Sequence, residues 1–232
     1  MSNGVLPNAN TNFLIYRCSR RERKMLRLEE ELREELKDNY EKYMVSSVKI
    51  AREIAMHAHK NQKRLNGAPY FLHPYRMADT FIQLVSVDGK NIDFDAMYDL
   101  GIQPEGTIEV CLLHDVLEDT DYTIEEIGDI FKKQGYEIYY TLYIERPLLL
   151  ITHDKNEPYP LYIEKVCQNP ISAFVKFLDL NDNTCVLELD KLTDFEIDRM
   201  HKYALYMKRI NDQYHFIEKL NGYNRSLEAQ AN

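Results

Sequence analysis

Apolar residues recur every three or four positions along much of the chain, which is the spacing of an amphipathic α-helix. The first clear case is a face shared by Val45, Val48, Ile50, Ala51, Ile54 and Ala55. A second run, from Pro104 to Leu117, is apolar almost throughout and predicts a buried helix. No segment alternates apolar and polar residues as a half-buried β-strand does, and no internal repeat is present. The pattern predicts an all-α fold with roughly eight to ten helices.

Residues that begin and end helices support this prediction. Thr123–Glu126 has the sequence pattern of a capping box, and so has Thr193–Glu196. Asn169–Pro170 combines an N-cap residue with a proline in the first helical turn. We expect the helix after Thr193 to continue to about residue 220, with Gly222 as its C-cap.

Charge and apolar spacing divide the chain into unequal parts. Residues 17–28 carry a net charge of +5 and residues 29–41 a net charge of −5. Apolar residues recur there at helical spacing at Met25, Leu28, Leu32 and Leu36. We predict an N-terminal extension over residues 1–42, a helical domain over 43–222 and a flexible tail over 223–232. The charged helix of the extension fits three roles: docking on the domain, contact with nucleic acid or another partner, or self-association into an oligomer.

The composition limits the class of protein. The chain has 232 residues, 44% of them hydrophobic, and a net charge of −9, so we expect a globular protein that does not bind nucleic acid non-specifically. No apolar stretch approaches the ~18 residues of a membrane span, and the polar N-terminus lacks a signal-peptide pattern. The four cysteines are scattered, which favours a reduced, cytoplasmic protein. A highly anionic substrate would need a metal ion or a local group of bases.

The segment from Leu112 to Thr120 is the most informative about chemistry. His114 and Asp115 are adjacent polar residues in an otherwise apolar helix. An ionised carboxylate buried there without a partner would be strongly unfavourable, and a metal ion is the simplest compensation. Glu118 lies one turn later on the same helix face, and Asp119 lies four residues after Asp115.

Two further segments carry polar residues of the same kind. Asp179 and Asn183 lie one helical turn apart after an apolar run, and His73 lies where a loop passes into a helix. Taken alone, each is more typical of a structural residue. Together with His114 and Asp115 they supply two imidazoles and two carboxylates. This mixed set suits a divalent first-row metal ion that keeps water in open positions.

Several bases lie near these segments in the sequence: Lys60, Lys63, Arg64, Arg76 and Lys176. They are candidates for a positive rim around substrate phosphates. Ordinary solvated surface cations would have the same spacing, and the sequence does not separate the two interpretations.

In this order, the segments resemble the HD-domain phosphohydrolases. The resemblance is closer to the hydrolase domain of the RelA/SpoT family and to the stand-alone small alarmone hydrolases. Four motifs carry it: Ala58-His59…Gln62-Lys63-Arg64, Gly67…Pro69-Tyr70…His73-Pro74, Leu112-Leu113-His114-Asp115…Glu118-Asp119-Thr120 and Asp179…Asn183. The resemblance implies an HD-type helical bundle.

The resemblance also implies a role for each matched residue. Four residues match the metal ligands of the family, whose usual ion is manganese (Mn2+): His73, His114, Asp115 and Asp179. Glu118 and Asp119 match the acidic pair that positions or activates the attacking water. Arg64 matches a base-packing residue, and Asn183 a polar contact of the nucleotide. The implied reaction removes the 3′-pyrophosphate of a guanosine nucleotide, ppGpp or pppGpp, leaving GDP or GTP.

Two other hypotheses remain open at this point. The chain could hydrolyse another phosphorylated nucleotide, such as a ppApp-like adenine nucleotide or NADPH. It could also be a nucleotide-binding regulator or an antitoxin-like partner without turnover, against which the intact set of ligands and acids counts. The chain departs from the family pattern at some positions, such as Leu65 after Arg64, where many relatives have a second base. These departures affect the prediction of the exact substrate. His153 either approaches the site or lies in a solvated turn.

Overall fold

The computed structural model describes residues 46–64, 66–86, 93, 97, 99–102, 105–185 and 191–230, with side chains as far as residue 225. These residues form eleven helical segments and no β-strand, so the predicted all-α fold is confirmed. In chain order they are α1 (Ser46–Ala58), α2 (Leu72–Leu84), α3 (Thr107–Leu113), α4 (Val116–Asp119), α5 (Ile124–Lys133), α6 (Glu137–Tyr143), α7 (Glu145–Ile151), α8 (Tyr159–Val166), α9 (Pro170–Asn183), α10 (Asp194–Tyr214) and α11 (Phe216–Gln230).

Helix α9 is the central element and packs against α10, α2, α7 and α3. Most of its apolar side chains are buried, including Phe174 and Phe177. The Phe174 ring meets Phe81 of α2 and Phe216 of α11 edge-on, with ring centroids 5.8 and 4.8 Å apart. Burying one such ring stabilises the fold by about 1.5–3 kcal/mol. The packing of α9 in the core therefore fixes the position of Asp179.

The apolar segment predicted as one helix from Pro104 to Leu117 is divided into α3 and α4. His114 is still helical, but Asp115 has φ −96° and ψ −6°, which departs from α-helical geometry. Apolar periodicity does not distinguish a straight helix from one that bends at a polar pair. At this point His114 is buried, and its Nε2 lies 2.9 Å from Oδ2 of Asp115, which is 17% exposed.

The C-terminal helix is also divided, which corrects the prediction of one helix capped at Gly222. His215 adopts the left-handed region with φ 57° and ends α10, after which α11 begins at Phe216. Asn211 supports the junction, because its side-chain oxygen accepts a hydrogen bond from the Ile217 backbone N–H at 2.8 Å. Gly222 lies within α11, so it is not a C-cap, and the backbone of residues 223–230 is helical.

The predicted N-terminal caps are present. Thr123 and Glu126 form a reciprocal capping box at α5, with hydrogen bonds of 2.9 and 3.2 Å. Asn169 accepts hydrogen bonds from the first two N–H donors after Pro170. At the start of α10, Thr193 accepts from the Glu196 N–H at 3.3 Å, but the Glu196 carboxylate pairs with Arg199, so the predicted capping box is half formed there.

Gly106 provides a test of close packing between α3 and α6. Its φ is 84°, and a Cβ there would collide with the Tyr143 carbonyl, whereas Gly135, with φ 85°, has open space around it. We expect Gly135→Ala to lower the free energy of unfolding by about 1–2 kcal/mol through backbone strain alone. Gly106→Ala should lower it clearly further, because α3 or α6 must also move. Urea denaturation measures both variants, and equal losses would contradict the close approach.

Among the described residues no helix has the length and apolarity needed to cross a membrane. The extension predicted over residues 1–42, with its charged helix and its role in self-association, lies outside the described residues. The division into extension, domain and tail stays a prediction.

Candidate metal centre

Three buried side chains from different helices converge on one point. His73 lies in the first turn of α2, His114 at the bend after α3, and Asp179 on α9. His73 Nε2 lies 3.1 Å from Asp179 Oδ1, and His114 Nε2 lies 3.8 Å from the same oxygen. One ligand atom of each residue lies within 4.8 Å of the others, so one ion could contact all three.

Asp115 adds a second carboxylate to this group. Its Oδ2 lies 2.9 Å from His114 Nε2 and 3.6 Å from His73 Nε2. The same oxygen accepts a hydrogen bond from the Tyr70 hydroxyl at 2.7 Å. The structure therefore brings together all four side chains that the sequence analysis assigns as metal ligands.

The hydrogen bonds on the far side of each imidazole direct Nε2 into the cluster. His114 Nδ1–H donates to the Cys111 carbonyl at 2.9 Å, and His73 Nδ1 lies 2.6 Å from Asp182 Oδ2. The buried His114 Nε2 makes no hydrogen bond of acceptable geometry within the described part of the chain. When the ring is neutral with its proton on Nδ1, the Nε2 lone pair faces the cluster, where a cation could bind. Two imidazole nitrogens and two carboxylates fit a divalent first-row metal ion.

The electrostatics of the cluster favour positive charge. Burial opposes ionisation of Asp179, but the Lys176 ammonium and the two imidazoles hold its pKa well below the usual range. Burial lowers the pKa of His114, yet the carboxylates of Asp115 and Asp179 outweigh it and raise that pKa to about 10. The carboxylates therefore favour positive charge at this point, and a divalent ion in the cluster would take the place of the proton on His114 Nε2.

Glu118 and Asp119 lie beside the cluster on α4. Burial, together with the charges of Asp115 and Asp119, raises the pKa of Glu118 against the opposing effects of the His153 N–H and Lys176. Glu118 Oε2 accepts a hydrogen bond from the His153 backbone N–H at 3.1 Å. Asp119 is more exposed and accepts from the Tyr70 hydroxyl at 2.9 Å. Glu118 is thus half-buried and held by the His153 N–H, whereas Asp119 faces solvent and is held by the Tyr70 hydroxyl.

Tyr70 and His153 have roles that the sequence analysis did not assign. Tyr70 donates toward both Asp115 and Asp119, and its position three residues before His73 was the available signal. His153 reaches the site through its backbone, while its ring packs against Tyr159 and Tyr162 with centroids 5.5 and 4.5 Å away. The solvated turn considered for His153 is therefore a packed loop.

The four predicted substrate-binding residues lie in different surroundings. Arg64 Nη2 donates to Asn183 Oδ1 at 3.0 Å, so these two form one polar group next to the cluster. Lys63 is exposed. Lys176 is mostly buried, with its ammonium 2.7 Å from Asp179 Oδ2 and 5.2 Å from the Tyr162 ring centroid. Contact of these residues with a substrate stays a prediction.

Asp182 and Arg76 form a buried ion pair beside the cluster. Arg76 donates to both carboxylate oxygens of Asp182 at 2.9 and 2.7 Å. Arg76, a candidate for an exposed phosphate rim, is therefore buried and faces Asp182. The sequence signal for Asp182 was its position three residues after Asp179, on the neighbouring face of α9.

A groove of about 790 Å³ opens next to the acidic pair. Glu118 and Asp119 form one part of its wall, and His57, Lys60 and Lys155 contribute basic groups. The His57 and Tyr122 side chains are joined by a 2.9 Å hydrogen bond. The acidic pair thus lines an open groove, and the four clustered ligand residues lie outside the lining of that groove.

No family model matches the chain. Curated proteins match it over part of its length. It is 33% identical over 103 residues to a probable guanosine-3′,5′-bis(diphosphate) 3′-pyrophosphohydrolase of Mycoplasma genitalium, covering 42% of this chain and 12% of that protein. It is 38% identical over 104 residues to the Aquifex aeolicus enzyme of that name, covering 45% and 12%. A Brucella melitensis protein named GTP pyrophosphokinase rsh is 36% identical over 77 residues, covering 33% and 8%.

Among solved structures, a metazoan SpoT ortholog described as hydrolysing ppGpp aligns with a TM-score of 0.52 and 22% sequence identity. The alignment covers 79% of this chain and 97% of that one. The chain has the fold of a SpoT-type hydrolase. The resemblance to the RelA/SpoT hydrolase domain is therefore confirmed by sequence and by fold. The chain matches only about an eighth of the length of the two curated pyrophosphohydrolases, so their activity is a proposal for this chain.

Proposed function

We propose that the protein is a manganese-dependent hydrolase of the 3′-pyrophosphate of ppGpp and pppGpp. The observation that carries the proposal is the convergence of His73, His114 and Asp179 beside the Glu118–Asp119 pair, within a SpoT-type fold. The names of the curated relatives support the guanosine nucleotide as substrate.

In this proposal one proton is moved, one O–P bond forms and the P–O3′ bond breaks. A divalent ion held by the His73–Asp179 cluster would lower the pKa of a bound water and offset phosphate charge. Glu118 accepts a proton as the water oxygen bonds to the phosphorus carried by ribose O3′. The P–O3′ bond breaks, pyrophosphate leaves with the water oxygen, and the proton passes to O3′ to give a 3′-hydroxyl.

The chain's remaining polar groups would position the reactants. Tyr70 keeps Asp119 next to Asp115 through its shared hydroxyl. Arg64 and Asn183, joined at 3.0 Å, offer a guanidinium plane and an amide to the nucleoside. The raised pKa of Glu118 brings it closer to the range in which a carboxylate exchanges protons effectively.

The test is pyrophosphate release from ppGpp by purified protein with Mn2+. We expect turnover that chelation abolishes and Mn2+ restores, and that Asp115→Ala abolishes because it removes one of the clustered carboxylates. The matched control is Asp129→Ala, which removes an exposed carboxylate of α5 outside the groove lining and should leave both the fold and turnover within about twofold of the unchanged protein, since surface substitutions away from a site rarely change stability.

Intact ppGpp after incubation with Mn2+-loaded protein would overturn the proposed substrate. A panel of ppGpp, a ppApp-like nucleotide and NADPH at equal enzyme concentration then identifies any other nucleotide that is hydrolysed. Binding of nucleotide without turnover of any of them would favour the regulatory alternative.

A further inference from the structure

Asp182 is the acceptor on which several positive or proton-donating groups converge. Its Oδ2 lies 2.6 Å from His73 Nδ1, and Arg76 donates to both of its oxygens. Arg64 Nη1 lies 3.4 Å from the same Oδ2. Two hydrogen bonds from one guanidinium and the contact with the His73 ring hold this carboxylate in one orientation.

The position of Asp182 determines the direction in which the second ring nitrogen of His73, Nε2, faces. A carboxylate accepts hydrogen bonds only, so the His73 nitrogen that faces it carries a proton. His73 Nε2 also faces a carboxylate, Asp179 Oδ1 at 3.1 Å, so an ion bound in the cluster would take the place of a proton on Nε2 while Asp182 keeps the proton on Nδ1. A carboxylate behind a metal-binding imidazole fixes both its tautomer and its ring orientation.

Arg76 explains why the carboxylate does not turn away from the ring. It lies one turn after His73 on α2 and donates two parallel hydrogen bonds to Asp182 across the interface of α2 and α9. Such bidentate pairs fix a carboxylate more firmly than a single ammonium contact does. The packing of the two helices therefore sets the distance between Asp182 and His73.

We propose that Asp182 is a positioning residue for the metal centre, which holds the His73 ring so that Nε2 faces the ion. This inference rests on the proposed metal-dependent function. Asp182 contacts neither the ion nor the substrate in this proposal, and it acts through His73. The rival explanation is a purely structural ion pair between Arg76 and Asp182 that joins α2 to α9.

Mn2+ binding to the full chain, measured by isothermal titration calorimetry after chelation and dialysis, separates these explanations. Asp182→Asn should weaken Mn2+ binding by about 10–100-fold, the usual loss for such a partner. The comparison variant Arg76→Gln removes the guanidinium that holds Asp182 but keeps the carboxylate beside His73. We expect it to lower thermal stability and to weaken Mn2+ binding clearly less than Asp182→Asn does, because His73 keeps an acceptor; equal losses of affinity in the two variants would favour the structural ion pair.

Mn2+ affinity of Asp182→Asn equal to that of the unchanged protein would overturn the inference and leave the metal centre standing. Absence of Mn2+ binding by the unchanged protein would instead overturn the proposed function together with the inference. If Asp182→Asn does not fold, nitrogen-15 NMR of the unchanged protein loaded with diamagnetic Zn2+ decides. A proton on His73 Nδ1 is expected, and a proton on Nε2 would overturn the inference.

Discussion

Glu118→Gln is expected to lower kcat for pyrophosphate release from ppGpp by about 10²–10⁴-fold, the usual contribution of a general base. The amide has nearly the size of the carboxylate, and its oxygen can still accept the hydrogen bond from the His153 N–H. The loop after α7 should therefore keep its place. What the variant loses is the ability to accept a proton from the attacking water.

The same variant should retain Mn2+ affinity, since Glu118 is not among the clustered ligand atoms. Steady-state kinetics at saturating Mn2+, together with calorimetry of Mn2+ binding, measure the two properties separately. A fall in kcat with KM and Mn2+ affinity nearly unchanged is the expected signature of a group that acts in the transition state.

Glu126→Gln is the matched control for this prediction. Glu126 lies on the wall of the same groove, but its carboxylate accepts a hydrogen bond from the Thr123 N–H in the capping box of α5. Glutamine is accepted at that position of a capping box, so fold and turnover should both persist. A large loss of kcat in Glu126→Gln, or little loss in Glu118→Gln, would contradict the role given to Glu118.

The sequence predicted those parts of the site that depend on local rules. His114 and Asp115 are conspicuous in the sequence because burying a polar pair inside an apolar helix raises the free energy of the folded state unless the pair has a partner. The caps at Thr123 and Asn169 depend on the residue and its near neighbours, and both are present. The all-α fold follows from helical periodicity repeated along the chain, and it too was predictable.

The parts that were not predictable depend on which helices pack together. The pairing of Arg76 with Asp182 joins α2 to α9, and 106 residues separate the partners in the sequence. The bend at Asp115 and the break at His215 were not predictable either, because apolar spacing is nearly identical in straight and bent helices. Lys176 was a candidate for a rim around substrate phosphates, and sequence proximity did not reveal that it is mostly buried beside Asp179.

Lys176 is expected to make a large electrostatic contribution to stability. Its ammonium lies 2.7 Å from Asp179 Oδ2, and the two side chains are 13% and 6% exposed. Burial lowers its pKa, but Asp179 and the nearby Tyr162 and Tyr159 raise it well above the usual range. Lysine and aspartate are thus both charged, and each is the other's main compensation for lost hydration.

Lys176→Met should therefore lower the free energy of unfolding of chelated protein by about 3–5 kcal/mol, because it leaves Asp179 buried without its ammonium partner. Added Mn2+ should recover part of the loss, since a cation bound by the cluster also compensates Asp179.

Lys165→Met is the matched control: Lys165 contacts the same Tyr162 ring, and its ion pair with Glu157 is more exposed, at 28% and 23%. That pair should be worth about 0–1 kcal/mol. Urea denaturation with and without Mn2+ measures both variants, and equal losses would show that Asp179 does not depend on Lys176.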